Sequence, residues 1–162
     1  MPQQAVFAMV KFFHDLFTAV WIGGLVTLSI TVLPAVKQVL GTGPQTKKLV
    51  DTIQKRLSVL VYVSIGGLVL TGMLQARRSP AFMGLFSFGN AYSIILALKH
   101  ILVVVMVGVA LYRSLVLGRQ GGPSTATQEK LSAGLLFLNV LLGIAVLLLS
   151  GFSASFGALP PT

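Results

Sequence analysis

The chain contains two histidines, His14 and His100. Both fall inside runs apolar enough to be membrane helix, "KFFHDLFTAVWIGGL" and "YSIILALKHILVVVMVGVALYRSL". Imidazole is a ligand for iron and copper. Each histidine has a charged sequence neighbour, Asp15 beside His14 and Lys99 beside His100. Ionisable groups inside a membrane are expensive and mark a function or an internal partner. The absence of cysteine excludes disulfides, Cys-ligated zinc and iron–sulfur clusters.

The elements that carry these residues follow from composition. With 162 residues, 55% hydrophobic and 9% charged, and a mean hydropathy of +0.91, the chain is far more apolar than a soluble domain of its length. Four apolar blocks, near 5–36, 57–75, 92–116 and 131–153, are each long enough to cross a hydrocarbon core that takes about 20 helical residues. No period-two barrel pattern is present, and helices satisfy their backbone groups internally. The expected fold is all-α, an integral four-helix transmembrane bundle forming a single domain over 1–162. The first block continues to Pro34, too long for the apolar core of a secretory signal, and is expected to remain in the mature protein.

The net charge of +9 reads as a nucleic-acid signal only until its distribution is considered. Lys37, Lys47, Lys48, Lys55 and Arg56 lie between blocks one and two, and Arg113, Arg119 and Lys130 flank the gap between three and four. The positive-inside rule makes both connections cytoplasmic and puts both termini on the extracytoplasmic side, with Lys11, Arg77 and Arg78 toward the outer face. The basic face is expected to meet anionic head groups of the lipid bilayer rather than nucleic acid.

Blocks one and three run in the same direction. Counted from their outer ends, each histidine lies about eight residues in, or roughly 12 Å at the helical rise, so the two imidazoles are expected at matching depth. Level imidazoles on parallel helices suit one shared metal: b-type haem with two axial histidines, or copper with histidine and methionine. The plainer alternative is a separate interhelical hydrogen bond for each.

Thr18, Trp21 and Leu25 share the helical face of His14, and Leu96, Val104, Val107 and Leu111 that of His100; a flat macrocycle needs such an apolar slot. Arg77, Arg78 and Lys11 would pair with haem propionates. For copper, Met9, Met73 and Met83 toward the same outer side are thioether candidates, although helical methionines are more often packing filler. Asp15 can pair locally with Lys11 or across the bundle with Lys99. Asn139, midway along block four, is expected to make an interhelical hydrogen bond.

The connections differ in character. "GTGPQTKKLVDTIQKRLS" opens with breakers and continues as an amphipathic stretch with Leu49, Val50, Ile53 and Leu57 at helical spacing, expected to be an interfacial extension of block two. "ARRSPAFMGLFSFGNAYS" places Phe82, Phe86 and Phe88 in a loop suited to the interface over the bundle mouth. A helix start is expected near Thr127. The Gly-Gly pairs, Gly23 with Gly24 and Gly66 with Gly67, are expected to let neighbouring helices approach closely.

The segments "HDLFTAVWIGGL", "KRLSVLVYVSIGGLVLTGML", "YSIILALKHILVVVMVGVALYRSL" and the "LPP" ending resemble the copper-resistance D (CopD) membrane domain. The matching positions are His14, Trp21, Gly23, Gly24, Arg56, Ser58, Thr71, Gly72, Tyr92, Lys99 and Arg113. This resemblance implies copper resistance or uptake in a bacterial or archaeal plasma membrane, beside an extracytoplasmic copper-binding partner. A more distant resemblance, carried by His14 and Lys99, is to HemJ-type protoporphyrinogen oxidases, which are small four-helix haem proteins.

The leading expectation is a membrane b-type haem protein that relays electrons near the outer face, within a larger complex of membrane or extracytoplasmic redox proteins. His14 and His100 would be the axial ligands, with Trp21, Lys99, Arg77 and Arg78 around the macrocycle. The alternatives are copper handling by the same histidines, a HemJ-like oxidase, and a structural subunit without cofactor.

Overall fold

The computed structural model describes residues 2–76, 82–117 and 125–157. They include four helices long and apolar enough to cross a membrane: Gln3–Leu40, Pro44–Ala76, Ala91–Leu117 and Thr127–Ser155. Together they make an all-helical membrane protein, and each expected block lies within one of them. Arg77, Arg78 and Arg119 lie outside the described residues.

The first span consists of α1 (Pro2–Thr18), α2 (Gly24–Thr27) and α3 (Leu33–Leu40), joined by π-turns at Ala19–Gly23 and Leu28–Val32. The backbone stays right-handed helical through each junction, so the span is one helix with two widened turns. The second turn has a clear cause. Pro34 offers no N–H and its ring crowds the carbonyl four residues back, at Ile30 inside that turn. Local back-bonding adds to both, Thr18 Oγ1 donating to His14 O at 2.8 Å and Ser29 Oγ to Leu25 O; such bonds bend helices.

Gly41 ends α3 with φ +67°, a conformation that glycine adopts without a Cβ penalty. Its N–H bonds back to Lys37 O at 3.0 Å. Three residues later Pro44 opens α4 (Pro44–Ala76), at the first helical position, where its missing N–H has no intrahelical acceptor to lose. The amphipathic stretch expected to precede block two is therefore continuous with that helix and begins it at Pro44. Thr46 Oγ1 donates to Gly41 O at 2.9 Å and ties the turn together.

The chain clusters into two compact units, Met1–Thr71 and Gly72–Thr162. In the first, α1–α2 and α4 touch at small residues. A Cβ on Gly67 would lie 2.2 Å from the Phe17 ring, and one on Gly24 would lie 2.9 Å from Leu57 Cδ1, whereas Gly23 and Gly66 meet nothing within 4 Å. Each Gly-Gly pair thus contributes one glycine to close approach and turns the other to open space. The buried apolar side chains here are Trp21, Ile22, Leu25, Leu28 and Val61.

In the second unit α5 (Ala91–Tyr112), followed by a π-turn at Arg113–Leu117, packs against α6 (Ala126–Gly157). Asn90 caps α5, its side-chain oxygen accepting from Ser93 N at 2.7 Å. Thr125 and Gln128 form a reciprocal capping box at the start of α6, Thr125 N donating to Gln128 Oε1 at 2.9 Å and Gln128 N to Thr125 Oγ1 at 3.3 Å. Leu136, Asn139, Val140 and Val146 form the buried stripe of α6, at the three- and four-residue spacing of one helical face.

Candidate functional site

His14 is half-buried on α1. Its Nδ1 lies 2.9 Å from Thr71 Oγ1 on α4, and Thr71 Oγ1 donates to Gly67 O at 2.7 Å. A hydroxyl has one proton to give. With that proton directed at Gly67, the Thr71 oxygen accepts, and the network assigns a proton to His14 Nδ1. In the neutral imidazole the lone pair is then on Nε2.

The residues that follow His14 on its face are enclosed to different degrees. Thr18 is half-buried, Trp21 is 1% exposed and Leu25 is buried. Phe17, against Gly67, brings α1 and α4 close enough for His14 to reach Thr71. Counting along α1 cannot find Thr71 as the partner of His14, because Thr71 lies 57 residues away on α4.

His100 is half-buried on α5 and is held in the same tautomer by a different device. Its Nδ1 lies 2.7 Å from Leu96 O, and a carbonyl can only accept, so Nδ1 carries the proton and the lone pair is on Nε2. The Phe86 ring, from the segment that precedes α5, meets the imidazole edge-on with centroids 6.3 Å apart. Phe86 and Phe88 are otherwise exposed. The face expected to form a slot beside His100 is only partly enclosed: Leu96 is buried, whereas Val104 and Leu111 are exposed.

The charged neighbours resolve differently. Lys11 Nζ and Asp15 Oδ2 pair at 2.8 Å, with both side chains 61% exposed. Asp15 therefore has the local one of its two expected partners, and the pair faces outward from the protein rather than into it. Lys99 is half-buried. Met9, Met73 and Met83 are all exposed, while the Met83 sulfur packs over Gly89. Among the described residues, the buried methionine is Met106.

Asn139 departs from expectation. It is 0% exposed, yet neither its Nδ2 nor its Oδ1 has a hydrogen-bond partner among the described residues, so the expected interhelical bond is not made. Among those residues no three His, Asp or Glu side chains gather into a metal-binding group. Compared with family models, curated proteins and solved structures, the chain matches none.

Proposed function

We propose that this membrane protein binds b-type haem through His14 and His100 as axial ligands and relays electrons near the extracytoplasmic face. The observation that carries the reading is the shared tautomer. Ligating histidines characteristically donate their second ring N–H to a fixed acceptor, which orients the ring and raises the basicity of the ligating nitrogen. Thr71 Oγ1 and Leu96 O are such acceptors. The buried run of Trp21 and Leu25 supplies apolar surface for a flat ring, and the haem, when bound, supplies the one-electron chemistry. Arg77 and Arg78 are the proposed propionate partners.

The test is a reduced-minus-oxidised visible spectrum of protein expressed with haem supplied. A low-spin signal is expected, lost in His14→Ala and in His100→Ala, and retained when Met9, Met73 and Met83 are changed to Leu. Colourless protein that retains copper until those methionines are removed replaces this reading with the CopD-like one. The proposed orientation, both termini extracytoplasmic, predicts that reporters fused after Gly121 read cytoplasmic and those after Thr162 external.

A further inference from the structure

The chain has 3 acidic residues, Asp15, Asp51 and Glu129, against 12 Lys and Arg. Most of its cations must therefore find partners elsewhere. Lys48, Lys55 and Arg56 are exposed, where water satisfies them. Arg113 is half-buried, in the π-turn Arg113–Leu117 that packs against α6. Its Nε is buried without a hydrogen-bond partner, and no described residue makes an ion pair with its guanidinium. An ionised group drawn out of water is costly until it is paired.

Burial is uneven across the guanidinium. Of its three nitrogens, Nε alone is enclosed and unpartnered, so the edge that carries the two Nη groups stays open. The enclosed Nε fixes the plane of the group. The Nη edge then presents parallel N–H donors, the fork that matches two oxygens of a phosphate.

The depth of this edge identifies where the oxygens come from. The span Ala91–Leu117 has 27 residues, about 40 Å of helix, against a hydrocarbon core of about 30 Å. Shared between the ends, the excess is about 5 Å at each. Arg113 lies one helical turn, about 6 Å, from the end at Leu117, the level at which acyl chains give way to phosphate. Leu115 and Val116, beyond it, are exposed and apolar, which keeps this end of the span in lipid rather than in water.

We propose that Arg113 binds the phosphodiester of one bilayer phospholipid through its two Nη groups. The site differs from the diffuse attraction of exposed basic residues to head groups because it depends on the fork and not on charge alone. Inorganic phosphate offers the same oxygens from the water side. The binding is independent of the haem reading, and of which side of the membrane this end of α5 faces.

The test uses the full chain in dodecyl maltoside, a detergent without phosphate, titrated with dioctanoyl phosphatidylglycerol and followed by native mass spectrometry and calorimetry. Saturable binding of one phospholipid per chain is expected. Arg113→Lys keeps the charge but loses the fork, and is expected to weaken binding about tenfold or more, the value of a hydrogen bond to a charged group. Arg56→Gln, at an exposed position, is expected to leave it unchanged. Should Arg113→Lys fail to fold, dioctanoylglycerol, which lacks the phosphate, decides on the wild-type chain: binding as tight as that of the phospholipid overturns the site, and weak or absent binding supports it. Equal affinity in Arg113→Lys and wild type reduces the contact to diffuse charge and overturns the fork. If inorganic phosphate binds as tightly as the phospholipid, the site takes a free anion and the lipid assignment is overturned.

Discussion

His14 Nδ1 and Thr71 Oγ1 lie 2.9 Å apart across α1 and α4, and the Thr71 hydroxyl is itself committed to Gly67 O at 2.7 Å. The carbonyl fixes the hydroxyl, the hydroxyl fixes the imidazole proton, and the proton fixes which nitrogen can ligate. Thr71→Val keeps the shape and removes the acceptor. It is expected to reduce retention of an iron or copper ligand at His14 by about 10- to 100-fold, while Thr71→Ser retains it. Haem-to-protein or copper-to-protein ratio after gel filtration reads the effect. Equal retention in Thr71→Val and wild type would show that the bond has no part in ligation.

The contact that permits this bond is the approach of Phe17 to Gly67. Gly67→Ala puts a methyl carbon 2.2 Å from the Phe17 ring and is expected to destabilise by about 1–3 kcal/mol, the usual cost of overpacking. Gly66→Ala meets nothing within 4 Å and is expected to gain up to about 1 kcal/mol from helix propensity. Adding Phe17→Leu to Gly67→Ala should recover part of the loss. Thermal unfolding in detergent distinguishes the two glycines, and identical behaviour would contradict the packing.

The Lys11–Asp15 pair, with both side chains 61% exposed, is expected to contribute little. Asp15→Asn should change stability by less than about 1 kcal/mol, as for other exposed pairs one helical turn apart. A double-mutant cycle with Lys11→Met measures the coupling directly. A coupling of several kcal/mol would mean that another molecule buries the pair.

Asn139 combines complete burial with an amide that has no partner at either end among the described residues. Removing such an amide relieves a desolvation cost of about 1–3 kcal/mol. Asn139→Leu, of similar shape, is therefore expected to raise the unfolding midpoint. A large fall instead would show that the amide is satisfied in the native protein by a group that the chain itself does not supply.

Much of the architecture is legible in the sequence because its signals are local. Runs of Leu, Val and Ile longer than a bilayer crossing mark the four spans, Pro44 and Gly41 punctuate the first connection, and the helix start expected near Thr127 lies one residue from Ala126, where α6 begins. The helical step alone puts Trp21 and Leu25 on the face of His14, and both are buried. Pro34 likewise carries in its chemistry the reason for the π-turn before it.

What the sequence could not determine is which side of each helix is inside. A membrane helix is apolar nearly all the way round, so no polar face identifies the outside as it does in a soluble protein. Val104 and Leu111 are as apolar as Leu96, yet Leu96 is buried and they are not. Gly66 and Gly67 differ by one position, about 100° around α4, and only packing against Phe17 tells them apart. The same holds for polar groups. Asp15 had two candidate partners at the level of sequence, and the choice of Lys11 depends on where the side chains reach. The proton on His14 Nδ1 depends on Thr71, a residue brought within 2.9 Å only when α4 folds back along α1.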